Sequence, residues 1–106
     1  MDDLIREDDL AVLNQLRDHG ADLGSPHLVW HYLYFPERAP AQKAADALIA
    51  NGYEVEVRLG ADDVNWLALA SKKTVLSTAA VVQFRAEMEN MVESLGGEYD
   101  GWETEV

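Results

Sequence analysis

Three histidines, twenty carboxylates and three tryptophans are the side chains of this 106-residue chain that are equipped for chemistry or recognition. His27 and His31 are four residues apart, a spacing that suits a shared metal on a helix. They fall instead in an aromatic, β-branched run, and on a strand that spacing leaves them about 13 Å apart. His31 therefore reads as a hydrogen-bonded sheet histidine, and His19 as a helix-terminal one whose positive form the helix end favours. Among the carboxylates, Asp2-Asp3 and Asp62-Asp63 are adjacent pairs. Neighbouring side chains diverge, which suits solvated turns better than an acid–base couple. Ser71, Thr74 and Ser77 lack the setting of a nucleophile, and there is no cysteine. Neither a calcium-type acidic loop nor a phosphate-cradling glycine loop is present. No catalytic residue, metal ligand or cofactor is expected.

The formal net charge is −12, from 20 acidic and 8 basic residues. Such a surface repels nucleic acid and anionic lipid and attracts a basic protein. Trp30, Trp66 and Trp102 come from three separate segments and could stack bases if they shared a sheet face. The basic patch that should accompany them is missing, since Lys72-Lys73 is the only adjacent basic pair. A basic protein partner is expected, with no direct nucleic-acid contact. The start is acidic, without the pattern of a secretory signal, and no window is apolar enough to span a bilayer. A cytoplasmic protein without membrane contact is expected.

The elements that must position these groups follow from periodicity. Leu10, Leu13 and Leu16 mark a helix within residues 1–20, ended by His19 and Gly20. His27 to Phe35 reads as a central strand, apolar on both faces, closed by Pro36. A helix is expected from Pro40 to Asn51, with Ala44, Ala45, Leu48 and Ile49 on its packing face. Tyr53 to Leu59 alternates with period two, so it is a half-buried strand. Gly60 to Asp63 connects it to a third strand, Val64 to Ala70. The last helix starts near Thr74, Ser77 or Thr78 and carries Val81, Phe84, Met88, Met91, Val92 and Leu95 on one stripe to Gly96-Gly97. Tyr99 to Thr104 forms a final strand or arm. The expected fold is α+β, a ferredoxin-like α/β sandwich of the split βαβ kind. Its order is βαββαβ over residues 27–104 behind an extra N-terminal helix, in one domain, 1–106.

The closing stretch Tyr99-Asp100-Gly101-Trp102, with Thr104 two residues on, is too aromatic for a frayed end. Together with Val29-Trp30-His31-Tyr32-Leu33 and Gly52-Tyr53-Glu54-Val55, it resembles the RraB family of ribonuclease E inhibitors, the regulators of ribonuclease activity type B. The agreement in element order runs over nearly the whole chain. The resemblance implies the ferredoxin-like fold and a non-catalytic regulator that binds ribonuclease E and lowers RNA turnover. Familiar members continue into a long acidic tail, so this chain reads as a minimal domain.

From charge alone, Glu54, Glu56, Asp62 and Asp63 near the sheet, and Glu98, Asp100, Glu103 and Glu105 in the tail, are the expected partner-binding residues. Tyr99, Asp100, Gly101, Trp102 and Thr104 are read as a structural motif. The rival readings are an acidic module for another basic partner, such as a toxin or a nucleic-acid enzyme, a small carboxylate enzyme, and an RNA-binding sheet.

Overall fold

The computed structural model describes residues 5–105. Three helices and four strands follow one another as α1 (Glu7–Asp18), β1 (Pro26–Phe35), α2 (Arg38–Ala50), β2 (Glu54–Leu59), β3 (Trp66–Val75), α3 (Thr78–Leu95) and β4 (Glu98–Thr104). The fold is α+β. The strands form one sheet in the order β2-β3-β1-β4, and every neighbouring pair is antiparallel.

β1 is central, as its double apolar pattern demands. Val29, His31, Leu33 and Phe35 alternate into the helix-covered side and have no exposed surface. There they meet two hydrophobic clusters. Leu33 and Phe35 pack with Ala41, Ala44 and Leu48 of α2 and with Met88 and Val92 of α3. Val29 packs with Leu13 and Leu16 of α1 and with Val81 and Phe84 of α3. The alanines of α2 let that helix approach the strands closely.

Three boundaries differ from the sequence expectation. β3 runs on to Val75, because the long β1 pairs with it down to Pro26↔Val75. The polar Ser71-Lys72-Lys73 segment is thus ladder, not loop. Val64 and Asn65 lie in the turn instead, where both backbone N–H groups donate to the Asp62 carboxylate at 3.0 Å. α3 then starts after Ser77, one of the three expected positions, whose side chain caps it by accepting from the Ala80 N–H at 3.0 Å. α2 begins at Arg38, two residues before Pro40. Proline in the first turn lacks only an N–H that the helix leaves unpaired anyway.

Candidate partner-binding site

Residues directly opposite one another in an antiparallel pair project from the same face. The register therefore sorts the sheet into two sides. With the odd residues of β1 under the helices, the even ones lie on the other side, which no described helix covers. Trp30, Tyr32 and Tyr34 are half-buried there. Three rows of side chains cross this open face. The first reads Glu54, Ser71, Trp30, Glu103. The second reads Glu56, Leu69, Tyr32. The third reads Arg58, Leu67, Tyr34, Glu98.

The charged residues stand at both edges and the apolar ones between them. β2 and β4 are separated by three strand spacings, about 14 Å. Glu54 and Glu56 line one edge, and Glu98 and Glu103 the other. Glu56 lies 3.7 Å from Arg58, an exposed pair in which each side chain is more than half accessible. Tyr32 donates its hydroxyl hydrogen to Glu103, and that bond raises the phenol above its ordinary pKa. Of the other expected carboxylates, Asp62, Asp63 and Asp100 gather at one end, and Glu105 follows Thr104 at the opposite one. Asp62, Glu98 and Asp100 line a cleft of about 690 Å³ with Tyr34, Pro36 and Asn65. Asp62 is engaged by the backbone N–H groups of Asn65 and Val64, which hold its carboxyl below the usual range. Asp63 is exposed in the same turn with φ 57°, and Glu105 is exposed beyond β4.

The tryptophans do not form one platform. Trp30 is on the open face. Trp66 and Trp102 pair with Phe35 and His31 and so belong to the helix side.

The closing motif is committed to contacts inside the fold. The Tyr99 hydroxyl lies 2.9 Å from His31 Nδ1. Asp100 stays exposed beside a bulge between β1 and β4, where Gly101 takes φ 99°. The Trp102 indole N–H donates to Asp9 at 2.9 Å. The Thr104 hydroxyl donates to the Leu28 carbonyl at 2.7 Å. Asp9 also receives two bonds from Arg85, at 2.6 and 2.9 Å, so α1, α3 and β4 meet at one buried ion pair. Burial pushes the Asp9 carboxyl up. The bonds from Arg85 and Trp102 outweigh it and hold the group below its ordinary value.

Residues 6–104 match the sequence profile of a protein family described as regulator of ribonuclease activity B, RraB. The chain belongs to the RraB family. A search of curated proteins gives no match. The RraB family is one of ribonuclease regulators, which sets the frame for the open face.

Asp9 and Arg85 are central to the motif's packing, and sequence reasoning missed both. Asp9 reads as one more acid at the positive end of a helix. Its separation of 76 residues from Arg85 hides the pair. The only signal was the indole of Trp102, which needs an acceptor once it is buried.

Proposed function

We propose that this RraB-family chain is a non-catalytic cytoplasmic regulator. It docks a basic segment of a ribonuclease, or of the scaffold that carries it, onto the open sheet face and so lowers RNA processing. The arrangement that carries this reading is the pair of acidic edges, Glu54 and Glu56 against Glu98 and Glu103, flanking Trp30, Tyr32 and Tyr34. A gap of about 14 Å admits one helix of about 10–12 Å diameter, or one extended segment. Cationic side chains on that segment reach the carboxylates on either side, and their stems or guanidinium planes lie on the aromatic rings. Asp62, Asp63, Asp100 and Glu105 extend the negative field beyond the face and steer encounter rather than grip. The strand order, read from the other edge as 4-1-3-2, supports a ferredoxin-like core behind α1, with residues 1–106 acting as one domain.

Two features favour this over the rivals. The three tryptophans are split between faces, which removes a base-stacking platform. Asp62, the most engaged acid of the end cleft, is occupied by its own turn and is no free acid–base group.

The test is a binding titration of purified ribonuclease E with the wild-type chain and with Glu54→Lys/Glu98→Lys. The expected result is binding that weakens with added salt and falls at least about ten-fold in the folded variant. Equal binding by both chains, or none by either, rules the docking face out.

A further inference from the structure

β2 ends the sheet on one side and pairs with β3 alone. The Gly60 N–H donates to the Asn65 carbonyl at 2.8 Å, which continues the ladder one step past Leu59↔Trp66. Hydrogen-bonded pairs alternate along an antiparallel ladder. The even residues of β2 therefore turn their backbone groups to β3, and Val55, Val57 and Leu59 turn theirs outward. No described strand receives them. Such an edge is a template for another strand unless a bulge, a proline or a lysine blunts it. The β4 edge is broken by the bulge at Gly101. β2 carries none of the three. Its helix side is apolar at the rim, where Val55 and Val57 are half-buried and Leu59 is 45% exposed. Ile49, 53% exposed, adds to that rim. It is two residues from both Ala47 and Asn51, which face α3 across the groove between the helices, so it lies on the opposite flank of α2, above β2.

We propose that the β2 edge is an interaction surface for a second copy of this chain, paired antiparallel about a two-fold axis at Val57. Charge complementarity selects the occupant and the register. With Val57 opposite the partner's Val57, Glu56 stands opposite the partner's Arg58, and Arg58 opposite the partner's Glu56. Both are non-hydrogen-bonded pairs, in which side chains approach most closely. A slip of two residues one way sets Glu56 opposite its own copy, and the other way sets Arg58 opposite its own copy. The chosen register also exchanges about six backbone hydrogen bonds, through Val55, Val57 and Leu59 of each copy. On the helix side, Leu59 covers the partner's Val55, at the end where the partner's Ile49 projects. The surroundings agree in sign. The antiparallel arrangement brings the Asp62-Asp63 turn toward the partner's Gly52, beside which Lys72 stands. The charged residues on the outer side of α2 are Arg38, over the Trp66 ring at 5.5 Å, and Asp46, bonded to Gln42 at 3.1 Å. The rim is thus balanced in a chain of net charge −12. Glu54 falls opposite the partner's Gly60 and stays free, and the open faces of the two copies join into one surface. The pairing does not rest on the ribonuclease reading.

Sedimentation equilibrium of the chain alone, at about 0.15 M salt, where charges beyond about 8 Å are screened, tests it. The wild type should pass from monomer to dimer between about 1 and 500 μM. Glu56→Arg and Arg58→Glu each set like charges opposite one another and should weaken the dimer at least about ten-fold. An equimolar mixture of these two variants should restore it, because every cross-strand pair is then of opposite sign. Val57→Pro removes an outward N–H and leaves the bonds to β3 intact, so it should be monomeric with an unchanged circular dichroism spectrum. A wild type that stays monomeric throughout, single charge variants that dimerise like the wild type, a mixture no tighter than its components, or a folded Val57→Pro that dimerises normally overturns the proposal.

Discussion

At the scale of single residues, the least expected group is His31. It has no exposed surface, and its Nε2 lacks a hydrogen-bond partner. The ring is boxed by Phe84 at 4.8 Å, Tyr53 at 5.8 Å and Tyr99 at 6.0 Å between centroids. Burial, helped by the charge of Arg85, pulls its pKa down from 6.5 to about 4. The unfolded chain therefore takes up a proton at this residue from about pH 6.5, and the folded chain only near 4. Stability must fall as the pH drops through that window, by up to about 1.4 kcal/mol per unit. His31→Asn, which keeps an acceptor for the Tyr99 hydroxyl and cannot titrate, should flatten this part of the urea-unfolding profile. An unchanged slope would show that His31 is not the group responsible. Asp9 acts lower on the scale, because its folded pKa is depressed. Its stabilisation is present above about pH 3.8 and is lost as the pH falls further. Asp9→Ala leaves the largely buried Arg85 guanidinium with only the exposed Glu89, at 3.7 Å, as an ion-pair partner and should cost about 3–5 kcal/mol. Trp102→Phe removes one bond to Asp9 and should cost about 1–3 kcal/mol. Because the two share a carboxylate, chemical denaturation of the double variant should give less than the sum. The sheet role of His31 was legible in its strand setting, since the spacing from His27 excluded a shared metal. The ion pair was not legible, because nothing local marks a contact between the two ends of a chain.

At the scale of elements, periodicity located every helix and strand. It failed where a neighbour decided the boundary. β3 is long because β1 is long, and no property of Ser71-Lys72-Lys73 announces that. The open and covered faces of the sheet were equally hidden. β1 is apolar or aromatic on both sides, and only the register separates Trp30 from Trp102. Two glycines in the final segment have different physical tasks. Gly101 sits at the bulge with φ 99°, a conformation that a side chain strains. Gly97 allows close approach: a Cβ there would lie 2.4 Å from the Phe35 ring and 2.6 Å from the Tyr34 carbonyl. Gly97→Ala must push β4 off the end of β1 or move a fully buried phenylalanine, so thermal melting should show a loss of at least about 1–3 kcal/mol. Gly101→Ala should lose about 1–2 kcal/mol through backbone strain alone. A melting temperature for Gly97→Ala equal to wild type would mean that the junction is looser than these distances describe.

At the scale of the whole molecule, charge organises the account. Most of the carboxylates that the sequence offered as partner contacts are distributed by the fold into two edges of one open face and a cleft at its end, with Asp63 in the turn beside that cleft and Glu105 beyond β4. Lys72 is turned to the other layer, where it donates to the Asn51 carbonyl. Composition led to the expectation of a basic partner and could not foretell this division, which depends on which strand lies at each edge. The binding contacts proposed for the open face are solvent-exposed, so their strength should fall as ionic strength shortens the Debye length to about 8 Å at 0.15 M. The most direct measurement of the central claim is RNA cleavage by purified full-length ribonuclease E as this chain is titrated in. The account predicts that cleavage slows in a saturable, salt-sensitive manner with the wild-type chain and that folded Glu54→Lys/Glu98→Lys leaves it unchanged. Equal slowing by both chains, or no slowing by the wild type at low salt, would contradict it.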